Sequence, residues 1–188
     1  MTARPQIKTC GVADASFAVA AERLGVDYIG FIFAKGSPRR VAPDFARRAA
    51  EGLAGTARTV GVFTGGTAEE IAAVMRETGL DIVQLHRRAD AGDVAALKGE
   101  GFEVWTLAGG APGDAVLFDS SHGDGETQLR RGPWRTVLAG GISSENLADA
   151  LRERPDIIDV NSSLETAPGE KSIVRLEAFL ARLAELTP

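Results

Sequence analysis

Along the whole chain, hydrophobic and polar positions alternate between two kinds of segment. Short runs rich in β-branched and aromatic residues, bounded by turn formers, predict buried strands. They lie at Gln6 to Val12, Asp27 to Phe33, Arg58 to Thr64, Asp81 to His86, Phe102 to Ala108, Ala115 to Ser121, Thr136 to Ile142 and Ile157 to Glu165. Between most of them lie Ala-rich stretches whose apolar residues recur at helical spacing: Ala15 to Gly25, Asp44 to Leu53, Thr67 to Gly79, Ser143 to Arg154 and Ser172 to Leu186. Thr67 and Glu70 have the spacing of a capping box at the start of the third of these.

Strand and helix in repeated alternation imply an α/β protein with parallel pairing and right-handed crossovers. Eight strands predict closure into a (β/α)8 barrel, the TIM-barrel architecture. An open doubly wound sheet is the alternative. Its usual G-x-G-x-x-G turn after the first strand is replaced here by Gly11-Val12-Ala13-Asp14. Two crossovers are unusually short. Gly109 to Asp114 is too brief and too rich in Gly and Pro for a helix, and Ser121 to Arg135 offers only a turn around Glu126 to Arg130. Helices five and six are therefore expected to be shortened or missing. No linker or low-complexity tract interrupts the pattern, which predicts a single domain over residues 1–188.

Composition narrows the partners. With 44% hydrophobic and 25% charged positions the chain reads as an ordinary globular protein, and a net charge of -5 with scattered cations excludes a nucleic-acid footprint. The lone cysteine rules out an internal disulfide. The N-terminus lacks the apolar core of a signal peptide, and no apolar run approaches the ~20 residues that span a bilayer. A cytoplasmic location with no membrane partner is expected.

In such a barrel the C-terminal ends of the strands face the site. Gly140-Gly141 follows the seventh strand, and Asn161-Ser162-Ser163 lies at the end of the eighth. Two glycines leading into a helix that starts near Ser143 would let backbone N–H groups meet an anion, and the second cluster adds further donors, so a phosphorylated small molecule is the expected ligand. The alternative is a plain strand-to-helix turn, which leaves the second cluster unexplained. Cys10 ends strand one and Asp119 ends strand six, on opposite walls. A thiol and a carboxyl facing one pocket suit a proton shuffle, with Lys8 as the nearest cation of like strand parity. The competing readings are a buried, inert thiol and a structural strand-end aspartate.

Several segments, in order, resemble one family. Lys8-Thr9-Cys10-Gly11 is similar to the K-[IV]-C-G opening of the phosphoribosylanthranilate isomerases. Gly30 to Phe33 with Ser37-Pro38-Arg39 and Val41, Gly61 to Phe63, Val83 to His86, Leu117 to Asp119, Ala139 to Ile142 with Glu145-Asn146, and Asp159 to Glu165 resemble its later motifs. The resemblance spans nearly the whole chain. It implies a tryptophan-pathway isomerase that performs an Amadori rearrangement with no cofactor and no metal. Cys10 would be the general base at the sugar C2 position and Asp119 the general acid at the ring oxygen. Arg39 would meet the anthranilate carboxylate, His86 would position, and Gly140, Gly141, Asn161 and Ser162 would hold the ribose phosphate.

The chain also departs from that pattern. Lys35 is displaced by one place, Arg87 replaces a glycine, and Ser163 stands where the phosphate loop has glycine. Pro168-Gly169-Glu170-Lys171-Ser172 lacks the acid of P-G-x-K-D, and the loop and helix after Asp119 are reduced. A paralogous barrel acting on, or merely binding, another sugar phosphate is the alternative function. Monomer or homodimer is expected, since short crossovers either bare apolar strand surface or hand it to a second subunit.

Overall fold

The computed structural model describes residues 4–120 and 129–187. Eight parallel strands close into a barrel in sequence order. They are β1 Gln6–Thr9, β2 Tyr28–Ile32, β3 Arg58–Phe63, β4 Ile82–Leu85, β5 Glu103–Leu107, β6 Ala115–Asp119, β7 Arg135–Ala139 and β8 Ile157–Val160. Closure is made at β1, where Lys8 stands opposite Tyr28 of β2 on one side and Asp159 of β8 on the other. The helices are α1 Ala15–Arg23, α2 Pro43–Glu51, α3 Ala68–Thr78, α4 Ala91–Gly99, α5 Leu147–Arg152 and α6 Ile173–Leu186.

Strand parity divides the core in two. Inward-facing Tyr28, Val60, Val62, Ile82, Trp105, Ala115, Leu117, Val137 and Ile157 fill the barrel with Cys10 above them. Outward-facing Ile7, Ile29, Phe31, Val83, Val104, Val116 and Phe118 are covered by the helical ring. A repeated device fixes the N-terminal end. Asp27, Asp81, Asp114 and Asp156 each stand just before an even-numbered strand, and each carboxylate accepts from a backbone N–H of the preceding odd strand: Ile7, Thr59, Val104 and Thr136, at 2.7 to 2.9 Å. These donors begin the strands, where no neighbouring carbonyl is in register, so the aspartates satisfy groups that burial would otherwise leave costly.

The Thr67–Glu70 capping box forms in both directions, Thr67 Oγ1 accepting at 3.2 Å and Glu70 Oε2 at 2.8 Å. β6 and β7 end at Asp119 and Ala139, short of the predicted Ser121 and Ile142, and four further expectations need correction. The chain between β4 and β5 contains α4, which the pattern did not signal because two glycines and a short Ala-rich run blur its apolar face. The segment from Ser143 is not helical until Leu147; Asn146 Oδ1 accepts from the Ser143 N–H at 2.8 Å and Asn146 Nδ2 donates to Gly141 O at 2.8 Å, closing a turn first. The eighth strand stops at Val160, followed by a single 3-10 turn over Ser162–Leu164 and a hairpin of β9 Glu165–Ala167 and β10 Glu170–Lys171. The first strand stops at Thr9, although the Cys10 N–H still donates to Val160 O at 3.1 Å.

No helix joins β5 to β6. The Gly/Pro loop lies against the barrel instead: Ala111 N–H donates to Ala89 O at 2.8 Å, Gly113 N–H to Thr106 Oγ1 at 3.1 Å and Asp114 N–H to Val104 O at 2.7 Å. Val104, Val116 and Phe118 stay buried, so this chain covers its own outer strand surface there. The expected turn over Glu126 to Arg130 falls largely outside the described residues.

Candidate active site

All eight residues singled out from the sequence line one cavity of about 470 Å³ at the C-terminal mouth: Cys10, Arg39, His86, Asp119, Gly140, Gly141, Asn161 and Ser162. Gln84, Asp159, Ile32 and Val62 form part of its lining.

Cys10, the residue after β1, and Asp119, the last of β6, stand three strands apart around the closed ring. The thiol is buried and sits beside Lys8. A Cβ added to Gly30 would lie 3.0 Å from Cys10 Sγ and 3.2 Å from Lys8 Nζ, so the bare glycine on β2 makes room for both. Lys8 is fully buried, and its Nζ donates to Asp159 Oδ2 at 2.6 Å. Burial alone would lower the lysine, but Asp159 and then the thiol outweigh it and its pKa is raised. For Cys10 burial dominates and pushes the thiol up, with Asp159 adding to the effect, while Lys8 and Lys171 pull against it. The thiol is therefore held protonated with two ammonium groups poised to accept its charge.

Across the cavity, His86 Nε2 lies 3.4 Å from Asp119 Oδ2, and Gln84 Nε2 donates to His86 Nδ1 at 3.3 Å. Accepting at Nδ1 places the ring proton on Nε2, directed at the acid. Gly140 has a left-handed φ of 92° and a Cβ there would meet Asp119 Oδ1 at 2.6 Å and the Ser120 N at 2.5 Å. Its lack of a side chain thus gives Asp119 its place as well as shaping the loop after β7.

Arg39 is held at the rim by a two-pronged pairing with Glu165, Nε to Oε1 and Nη2 to Oε2, both at 2.7 Å. Burial would raise Glu165, but Arg39 and Lys171 prevail and the carboxyl lies below its usual range. In the loop after β8, Ser163 Oγ donates to Ile142 O at 2.6 Å and ties that loop to the one after β7. Ser163 does not need a left-handed backbone, so the glycine missing from this loop leaves no strained residue.

The sequence marks Lys8 only as a nearby cation and gives no role to Asp159, Glu165, Lys171 or Gln84. Strand parity was the available signal for Asp159, two places before Asn161. Glu165 and Lys171 fall in segments that resemble the family, but no periodicity or spacing marks a role for them, and they arrive on the hairpin. Among the described residues no group of three His, Cys, Asp or Glu side chains is arranged to hold a metal ion, and no helix is long and apolar enough to cross a membrane.

Fold and site together define a class: a (β/α)8-barrel enzyme with its chemistry gathered at the C-terminal mouth. A family model described as N-(5'-phosphoribosyl)anthranilate (PRA) isomerase matches residues 7–182, and the chain belongs to that family. An N-(5'-phosphoribosyl)anthranilate isomerase of Chlorobaculum parvum is 34% identical over 213 aligned residues, covering 96% of each chain. The crystal structure of the Thermus thermophilus phosphoribosyl anthranilate isomerase superposes with a TM-score of 0.84 at 36% identity, over 96% of this chain and 99% of that one. A further isomerase structure, solved with reduced 1-(o-carboxyphenylamino)-1-deoxyribulose 5-phosphate, gives 0.82 at 26% identity, over 97% and 100%.

Proposed function

We propose that this chain isomerises N-(5'-phosphoribosyl)anthranilate to the 1-deoxyribulose 5-phosphate product in tryptophan biosynthesis, by an Amadori rearrangement under general acid and base catalysis. The observation that carries the reading is the convergence of a buried thiol and a histidine-contacted carboxyl from opposite walls onto one cavity. Asp119 gives its proton to the ring oxygen, and the furanose opens to an iminium. Cys10, as thiolate, then takes the proton from C2, and the electron pair of that C–H bond moves toward the iminium carbon to give the enolamine, which tautomerises to the ketone. No oxidant or reductant enters, because the oxidation of C2 is balanced by reduction of C1 within the substrate. The resting thiol is protonated, so it first releases its proton to solvent, and the cationic iminium and the flanking ammonium groups offset the charge of the thiolate that remains.

Arg39 keeps one edge of its guanidinium on Glu165 and offers the other to the anthranilate carboxylate. Gly140, Gly141, Asn161 and Ser162 take the ribose phosphate through backbone and side-chain donors. The closed turn after Gly141 means that loop donors, rather than a helix terminus, supply this contact. A reducing cytoplasm suits a lone functional thiol.

The test is the decay of anthranilate fluorescence with freshly generated substrate. Wild type turns over, whereas Cys10→Ala and Asp119→Asn each lose at least about a hundredfold in kcat. Near-normal turnover by either variant removes that residue from its role. A wild type without turnover that is still stabilised by millimolar phosphate would transfer the site to another sugar phosphate.

A further inference from the structure

Lys171 stands behind the cavity and touches Asn161, which lines it, and Glu165, which holds the lining Arg39. It lies on β10, with a fully buried ammonium group. Its Nζ donates to the main-chain oxygen of Asn161 at 2.9 Å, to Asn161 Oδ1 at 2.7 Å and to Glu165 Oε1 at 2.8 Å. An ammonium has three N–H donors, and three acceptors already take them, so none is left for a ligand. Beyond its charge, which acts on Cys10 through space, whatever Lys171 does for the reaction passes through its partners.

Those partners lead to the two groups read above as holding the two ends of the substrate. Glu165 Oε1 is shared between Lys171 and Arg39 Nε, and Oε2 takes Arg39 Nη2, which fixes the plane of the guanidinium at the carboxylate end. On the phosphate side, an ammonium accepts nothing, so the Asn161 amide must turn its oxygen to Lys171. Its Nδ2–H groups become what it presents to the cavity. Burial lowers the pKa of Lys171, with Glu165 the chief opposing influence. A buried charge is expensive, and an apolar side chain of similar volume often serves stability as well. Packing alone therefore does not account for a charge at this position.

We propose that Lys171 is a positioning residue that couples the two ends of the substrate site, aligning Arg39 through Glu165 and the Asn161 amide directly. This rests on the reading of Arg39 and Asn161 as substrate-holding groups. Lys171→Met leaves Glu165 paired with Arg39, so no carboxylate is stranded and the variant is expected to fold.

The experiment compares wild type with Lys171→Met, alone and combined with Arg39→Ala or Asn161→Ala. It reads kcat, KM for N-(5'-phosphoribosyl)anthranilate, and calorimetric Kd values for anthranilate and inorganic phosphate. KM rises about tenfold in Lys171→Met while kcat stays within about threefold, as for loss of alignment by a charge-assisted contact. Both fragments bind more weakly. The anthranilate effect disappears in the Arg39→Ala background and the phosphate effect in the Asn161→Ala background, which a merely structural loss would not produce. An unchanged KM in folded Lys171→Met, or losses that simply add to those of the partner variants, overturns the proposal. Lys171→Gln, which keeps a donor without the charge, answers the same question should the methionine variant not fold. A wild type that fails to turn over, yet whose fragment affinities follow these cycles, removes the isomerase reading and leaves the coupling intact.

Discussion

At the N-terminal end of the barrel, Arg135 lies over the rings of Tyr28 and Trp105, with its carbon 5.8 and 5.6 Å from their centroids, and donates to Tyr28 Oη at 2.7 Å. Trp105 Nε1 donates to Glu103 Oε1 at 2.7 Å, and Glu103 also pairs with Arg58 and Arg135. Nearby Lys98 pairs with Asp114. At the C-terminal mouth the polar content is similar but its bookkeeping is not. Asp159 Oδ1 and Gln84 Oε1 are buried there without a hydrogen-bond partner, and the thiol is pushed away from its ordinary range. Both ends obey one strand parity, so polar residues alone do not tell structure from function. What separates these two networks is satisfaction, although Trp134 Nε1 just before β7 is also buried unpaired: the Arg135 network closes on itself and holds the fold, and the one at the mouth leaves acceptors that a polar ligand can complete.

The sharpest break of this comparison comes from the mouth. Cys10→Ala and Asp119→Asn lose at least about a hundredfold in kcat, while their melting temperatures stay near wild type. A large drop in melting temperature would mean that these residues serve the fold after all. The opposite result is expected from the aspartate device. Asp156→Ala removes the acceptor of both the Thr136 N–H and its hydroxyl, each at 2.7 Å, and is expected to cost about 2 kcal/mol in denaturant unfolding with kcat/KM of the folded enzyme unchanged. Arg135→Met gives a smaller loss of about 1 kcal/mol, because the guanidinium is partly exposed and methionine keeps contact with the rings.

The mildest effect is one of pH. Burial would raise Glu103, but Trp105, Arg58 and Arg135 outweigh it; burial would raise Asp114, but Lys98 and the Val104 N–H outweigh it. Both carboxyls therefore have folded pKa values below their unfolded values of about 4.3 and 3.9. Their stabilisation is fully present above those values and fades as pH falls through the depressed ones. Thermal melts below about pH 4 should steepen with falling pH, and Glu103→Gln should flatten that slope. An unaltered slope would remove Glu103 from the acid response.

The aspartate device was legible without coordinates, since Val26-Asp27-Tyr28, Leu80-Asp81-Ile82, Gly113-Asp114-Ala115 and Pro155-Asp156-Ile157 place the same residue at the same offset before alternate strands. Each aspartate, taken singly, reads as an ordinary turn residue, and only the offset shared by all four distinguishes it. α4 and the late start of α5 were not legible. A nine-residue helix containing two glycines carries little periodic signal, and the Asn146 side chain delays α5 through bonds that spacing does not reveal.

By itself the sequence determined the strands and their parallel order, the closure into eight strands, the loss of a helix between β5 and β6, and the set of residues at the mouth. A period of two in buried runs, a strand–helix alternation and residue identity at strand ends are local properties, and in a parallel barrel local order maps directly onto place. Only the tertiary structure decided which of those polar groups are partnered. Lys8 meets Asp159 across 151 positions of chain and Arg39 meets Glu165 across 126. Such pairs form because barrel closure and the β9–β10 hairpin bring distant segments within 3 Å, and the charge state of the thiol follows from that proximity and burial rather than from the residues beside it.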